Sequence, residues 1–346
     1  MLRHSSDAEP GISRKRIGRY WAYFGAAGKR ITDRDEIDRL NAIALPPAYT
    51  DAWFCADPNG HLQATGIDAR GRKQYRYHAR FRELQDSAKY QGLLEFGKAL
   101  PRLRRRVEQD LRSRKLSRDT VLAAIVRLLD THYIRVGNEE YARANKSFGA
   151  TTLRSRHLRR MGQKLTMRFT GKHGIVHEVG ITDSSLRRII NRCDELPGRM
   201  LFQHVNADGV PQPVTSSDVN EYIKEATGGA FTAKHFRTWS ASVIAFEQML
   251  DKAAEARISV RTVVEPVAEA LGNTPAISRK SYVHPKLLEA VKDNPRDPLG
   301  GLERPPSRKR LSGAEVGLLS FLGKRRPART PVTAAQGQRA AAQAAA

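Results

Sequence analysis

The chain has 346 residues, roughly two domains at the usual ~150 residues each. It carries 60 Lys and Arg against 36 Asp and Glu, a formal charge of +24, which points to a polyanionic partner and away from an ordinary metabolic enzyme. Two cysteines, Cys55 and Cys193, exclude a disulfide framework and a cysteine-rich metal site, and no apolar run approaches the ~18 residues of a membrane span.

The start, Met1-Leu2-Arg3-His4-Ser5, runs into polar residues without an apolar h-region, so no secretory signal is expected and the chain reads as cytoplasmic. Residues 1–87 are expected to form a small, mainly antiparallel sheet domain. Residues 20–24 and 29–31, joined by a Gly-bearing turn, read as one hairpin. A short helix follows, capped by Thr32 or Asp33 with Glu36 in its first turn, and Pro46-Pro47 stops it. Residues 52–55 and 61–66 around Asp57-Pro58-Asn59-Gly60 read as a second hairpin.

From residue 88 to 294 the texture becomes helical, with a 3.6-residue period through Leu93, Leu94, Phe96 and Leu100 and again from Val121 to Leu129. A β-hairpin interrupts it: residues 164–170 alternate, break at Gly171-Lys172-His173-Gly174, and resume at 175–179. Helical patterns return at 183–194, 216–227, 234–251 and 262–271, where Pro266 either kinks the last helix or starts it. The run from Arg102 to Arg106 reads as a solvated helix face. From 295 to 346 basic, Pro-rich and Ala/Gln-rich segments suggest a mostly disordered tail. The fold class is α+β.

Neither Gly28-Lys29-Arg30 nor Gly171-Lys172-His173 completes a P-loop, and the acidic residues are scattered among basic ones, unlike a two-metal nuclease. No nucleotide, metal or other cofactor is expected. Chemistry on a phosphodiester would then fall to side-chain cations and a side-chain nucleophile. One segment offers both, Leu271-Gly272-Asn273-Thr274-Pro275-Ala276-Ile277-Ser278-Arg279-Lys280-Ser281-Tyr282-Val283-His284-Pro285: Gly272 ends one helix, and Tyr282 sits on a short new segment closed by Pro285.

This segment resembles the active-site tyrosine region of type IB DNA topoisomerases, particularly the small poxvirus and bacterial enzymes. Ile134-Arg135-Val136-Gly137-Asn138-Glu139, Phe169-Thr170-Gly171-Lys172 and Lys234-His235-Phe236-Arg237-Thr238-Trp239 stand in that family's order, over about residues 20–288. The resemblance implies a catalytic domain of the type IB topoisomerase and tyrosine recombinase kind. It implies Tyr282 as nucleophile, Arg135 and Arg237 as phosphate clamps, and Lys172 as the acid that protonates the leaving 5′-oxygen. Asn273 stands where poxvirus and nuclear relatives carry His, which implies it as the fifth catalytic residue, an amide that donates a hydrogen bond to a phosphate oxygen but does not titrate; the alternative is a helix C-cap beside Gly272.

Gly71-Arg72-Lys73-Gln74-Tyr75-Arg76-Tyr77 resembles the family's N-terminal DNA-reading strand, making Arg72, Lys73, Gln74, Tyr75 and Tyr77 candidate DNA contacts; the alternative is that both tyrosines face the sheet core. Lys234 and His235 are further DNA-contact candidates. The expected partner is double-stranded DNA, held by a monomeric two-domain clamp on the bacterial nucleoid. Two rivals remain: a tyrosine recombinase, which commonly carries His where Lys234 stands, and a non-catalytic chromatin protein, which leaves the Asn273 to Tyr282 spacing unexplained.

Overall fold

A computed structural model describes residues 1–162, 164–252 and 257–324. Two compact units divide between Gln91 and Gly92. The first contains β1 (Ile12–Ile17), β2 (Tyr20–Phe24), α1 (Arg34–Ala42), β3 (Thr50–Phe54), β4 (Leu62–Ile67) and β5 (Lys73–Tyr77). Its strands pair antiparallel in the order β2-β1-β3-β4-β5. Asp33, not Thr32, caps α1 by accepting from the Asp35 amide at 3.2 Å. Leu40 of that helix joins Ile12, Tyr23, Leu45, Phe54 and Ala64 in the core, and each large apolar side chain so buried contributes roughly 1.5 to 3 kcal/mol.

The expected pairing of residues 20–24 with 29–31 is present but short: the Ile31 amide donates to the Tyr23 carbonyl and the Gly25 amide to the Lys29 carbonyl, both at 2.9 Å. β2 pairs with β1 across the Gly18 turn, whereas Arg30 makes only an isolated bridge to Phe24. β1, Ile-Ser-Arg-Lys-Arg-Ile, is mostly exposed, so it lacks the alternation that reveals a half-buried strand.

The second unit is mainly helical. In chain order come α2 (Ala79–Leu111, beginning in the first unit's residues), α3 (Arg118–His132) and α4 (Glu139–Asn145), then β6 (Leu158–Met161), β7 (Lys164–Thr170) and β8 (Val176–Ile181). α5 (Ser184–Asp194), the short pair β9 (Gln203–Val205) and β10 (Pro211–Pro213), α6 (Ser216–Thr227) and α7 (Ala233–Asp251) follow. α8 (Val260–Leu271), α9 (Pro275–Ser281), α10 (Pro285–Asp293) and α11 (Gly313–Gly323) complete it. α3 is buried almost all round, as its continuous Val121 to Leu129 apolar run demands, and is the central helix of this core. The expected hairpin is β7 and β8, with the polar strand β6 added to its outer edge.

Two expectations are overturned, and one of the two readings of Pro266 is excluded. Residues 295–324 are ordered: Leu299, Leu311, Leu318 and Leu322 enter the core, and α11 starts on a capping box between Ser312 and Glu315. The basic, Pro-rich flanks masked that apolar helix in the composition; the rest of the expected tail, 325–346, lies outside the described residues. The Arg102 to Arg106 run is not a solvated face throughout, because Arg104 bonds both Asp130 and Glu315 at 2.7 to 2.9 Å and Arg106 bonds Asp110 at 2.7 Å and Asp119 at 2.8 Å. Lastly, Pro266 does not start its helix, which already begins at Val260.

Candidate active site

α3 ends in a left-handed residue, Tyr133 (φ 56°), which turns the chain sharply into the extended segment bearing Arg135. Ile134 is buried on one side of Arg135. The Arg135 carbonyl accepts from the Ala150 amide at 2.8 Å, and that of Val136 accepts from the Thr151 amide at 2.7 Å. Gly149 is required there, since a Cβ would lie 2.5 Å from both the Arg135 carbonyl oxygen and the Gly137 nitrogen. Backbone against backbone thus fixes the origin of the Arg135 side chain.

Arg237 lies in the second turn of α7 and is only 5% exposed. Its Nη1 donates to the Tyr133 carbonyl and its Nη2 to the Leu271 carbonyl at 2.9 Å. Those carbonyls belong to the C-terminal ends of α3 and α8, where the helix dipole is negative, so two helix ends take the place of a carboxylate partner. Burial pushes the Arg237 guanidinium down to about 10, the charge of Arg135 adding to the effect and Tyr282 opposing it. Its buried Nε has no hydrogen-bond partner among the described residues.

Gly272 closes α8 in the left-handed conformation (φ 58°), and the Asn273 amide returns to the Ala268 carbonyl at 2.9 Å. Thr274 then caps α9 with Pro275 at its first position, and Tyr282 terminates that helix. Val283 is fully buried, and the His284 amide donates to Ser242 Oγ of α7 at 3.1 Å. The tyrosine is therefore anchored on the helix that carries Arg237, whose Cζ lies 5.1 Å from the Tyr282 ring centroid. Burial by itself would raise the phenol, but the charges of Arg237 and Arg135 and their hydrogen bonds to it outweigh burial and hold it below its ordinary value.

Asn273 accepts from Arg135 Nη2 through Oδ1 at 3.0 Å, while its Nδ2 is buried without a partner among the described residues. Lys172 is exposed on the tip joining β7 to β8, where His173 (φ 67°) and Gly174 (φ 78°) reverse the chain. A cavity of about 400 Å³ is lined by Arg135, Lys172, Lys234, Arg237 and Tyr282, with Tyr141 and Phe148 on its wall and no carboxylate among its lining residues. Four of the five residues expected to be catalytic meet at this cavity, and Asn273 touches it through Arg135.

Of the other candidates, Lys234 lines the cavity but His235 does not. The His235 Nδ1 accepts from the Thr232 amide at 3.0 Å, and its ring packs on Phe96 and Phe231, so it shapes the start of α7. In the first unit, β5 presents Lys73, Tyr75 and Tyr77 on one exposed face, and the two tyrosine rings stack with centroids 6.2 Å apart; neither faces the sheet core. Arg72 and Gln74 both bond Asp68, at 2.7 and 2.9 Å, and Lys73 pairs with Asp7. The Arg72 hydrogen bond leads in holding the Asp68 carboxyl down to about 2.

Sequence reasoning missed the Tyr133 and Leu271 carbonyls, which no side-chain pattern can reveal, and His177. On β8 the inward residues are Val179 and Ile181, and the same period-two spacing extended toward the tip would have placed His177 beside the site. Burial, then the charges of Arg135 and Arg237, push this imidazole below its ordinary value.

Comparison with known proteins gives the family. The family model described as "Eukaryotic DNA topoisomerase I, catalytic core" matches residues 78–297, and "Bacterial DNA topoisomerase IB, N-terminal domain" matches residues 20–68. A "DNA topoisomerase 1B" of Acanthamoeba polyphaga mimivirus is 31% identical over 298 residues, covering 82% of this chain and 88% of the relative. The "DNA topoisomerase 1B" of vaccinia virus (strain Copenhagen) is 21% identical over 271 residues, covering 75% and 83%. A matched catalytic core over most of the chain, and arginines, lysine and tyrosine gathered at one carboxylate-free cavity, place this chain in the type IB DNA topoisomerase family, DNA-binding isomerases.

Proposed function

We propose that the enzyme relaxes supercoiled duplex DNA by reversible single-strand cleavage through Tyr282. The phenolic oxygen attacks the scissile phosphorus, the bond to the 5′-oxygen breaks, and a 3′-phosphotyrosyl link and a 5′-hydroxyl result. After the duplex has rotated, the 5′-hydroxyl attacks the same phosphorus and releases the phenol. Each step exchanges one phosphodiester for another, so religation needs no ATP, and side-chain cations supply the electrostatics without a metal.

The observation that carries this reading is the pairing of Tyr282 with two cations whose other hydrogen bonds, among the described residues, go to backbone carbonyls and an amide and not to a carboxylate. A phenol of pKa ~10 is about a thousandth ionised at neutral pH, and Arg237 and Arg135 favour the ionised form. The same arginines are suited to the non-bridging oxygens of a pentacoordinate phosphorus, with Asn273 Nδ2 as a third donor. Lys172, at the tip, is suited to protonating the departing 5′-oxygen, a role typically worth ~100 to 10,000-fold.

The exposed face of β5 supports duplex contacts by Lys73, Tyr75 and Tyr77, and Lys234 supports a phosphate contact beside the cavity. The charge of +24 supports residence on chromosomal DNA through phosphate contacts.

The test is to incubate supercoiled plasmid with purified protein in EDTA without ATP. Relaxation by wild type and none by Tyr282→Phe is the expected result, with a covalent protein–DNA adduct trapped by detergent in the wild type alone. Binding without any change in linking number would instead identify a non-catalytic DNA-binding protein, and site-dependent recombinant products from tetramers would identify a recombinase.

A further inference from the structure

We propose that His177 is a positioning residue for Lys172, its ring setting the hairpin tip at a fixed distance from the Gly272–Asn273 turn. His177 pairs with Phe169 across the β7–β8 ladder and stacks on it, with ring centroids 5.2 Å apart and an interplanar angle of 22°. One edge of the imidazole meets the backbone of Gly171, where a Cβ would lie 2.6 Å from Cδ2 and 2.7 Å from Nε2. Its Cε1 meets Gly272, where a Cβ would lie 3.1 Å away. The glycines that touch the ring each precede a residue of the proposed chemistry, Lys172 in one case and Asn273 in the other.

Gly171 has an ordinary φ of −92°, so glycine is needed there for room and not for conformation. The Gly171 amide also closes the tip by donating to the Ile175 carbonyl at 2.7 Å. Phe169 stacking holds the ring in the sheet, the ring spaces Gly171, and Gly171 carries Lys172. The charged groups around it are Arg135 and Arg237 across the site and Lys172 on its own hairpin. In that company a neutral imidazole is the electrostatically compatible spacer, and burial together with the two arginines favours the neutral form.

This inference rests on Lys172 acting as the acid. A spacer that aims the acid matters only when the leaving oxygen needs a proton, and displacement of an acid by ~1 Å can cost on the order of a hundredfold. Replacing the bridging 5′-oxygen by sulfur gives a thiolate leaving group that needs little protonation. Single-turnover cleavage of both substrates is measured with full-length wild type, Lys172→Ala, His177→Ala, His177→Phe and Gly171→Ala, with thermal melting of each variant as a fold check.

The expected result is that His177→Ala cleaves the oxygen substrate ~10 to 100-fold slower but the sulfur substrate within about threefold of wild type, while His177→Phe, which retains a flat ring, stays near wild type on both. Gly171→Ala, which drives a Cβ into the ring, should give the same sulfur-relieved loss, and it decides the matter if His177→Ala does not fold. Equal slowing of both substrates, or no slowing, overturns the inference. If Lys172→Ala is rescued by sulfur while His177→Ala and Gly171→Ala are not, the inference fails alone. If Lys172→Ala is not rescued, the acid reading fails and takes the inference with it.

Discussion

Arg135 donates through Nη2 to Oδ1 of Asn273 at 3.0 Å, linking the segment after α3 to the turn after α8. A guanidinium only donates hydrogen bonds, so this contact decides which end of the amide faces Arg135 and leaves Nδ2 as the buried donor in want of an acceptor. Asn273→Ala is expected to slow single-turnover cleavage roughly a hundredfold, the effect of losing one donor to the transition state. Asn273→Asp should be slower still, because its carboxylate would neutralise Arg135. Cleavage rates for both variants equal to wild type would remove the amide from the reaction.

Arg237 is expected to be irreplaceable by lysine. Its forked donors reach the Tyr133 and Leu271 carbonyls at once, and a lysine offers a single point charge. Arg237→Ala and Arg237→Lys should both cleave roughly 100 to 1,000-fold slower, measured as formation of the covalent adduct.

The same arginines set a pH dependence. Burial raises the Tyr282 phenol and the two arginines more than reverse it, so its folded-state ionisation lies below the ordinary value. The cleavage rate should rise with pH and level off below the ~10 of a free phenol. In Arg237→Ala the levelling should move to higher pH; an unmoved profile would show that another group limits the rate.

α11 is expected to be essential for stability. Glu315 receives both Arg104 and the Trp239 indole, at 2.8 and 3.0 Å, and Leu318 and Leu322 are buried. Glu315→Ala, which leaves a buried cation underpaired, should cost roughly 3 kcal/mol in denaturant unfolding. Truncation after residue 298 should destabilise further by exposing the apolar surface of the core beneath the helix. Truncation without a loss of melting temperature would contradict the packing.

His157 gives a separate acid signature. Burial, then Arg156, Arg154 and Arg159, push its imidazole down to about 4 from an ordinary 6.5. The unfolded chain therefore binds the proton more readily, so this contribution to stability is present above pH 6.5 and is lost as pH falls toward about 4. His157→Asn, which retains an acceptor for the Arg154 amide, should flatten the melting temperature across that window.

What the sequence determined by itself was local and chemical. Gly272 and Pro275 set a helix end and a helix start, a run of apolar residues made α3 central, and the resemblance in Arg135, Lys172, Arg237 and Tyr282 marked the candidate reacting groups. Such features depend on neighbours in the chain, and periodicity and turn chemistry report them directly.

Tertiary structure decided the rest, because it depends on groups that meet from distant segments. The carbonyls of Tyr133 and Leu271 that hold Arg237 are backbone atoms and carry no side-chain signature. The exposed strand β1 and the helix α11 were hidden by polar or basic surroundings, although each pairs or packs well once its partner is present. His177 was an ordinary strand residue until folding brought Gly171 and Gly272 to its two edges. Side-chain identity is written in the chain, but the distance between two side chains is a property of the packed core.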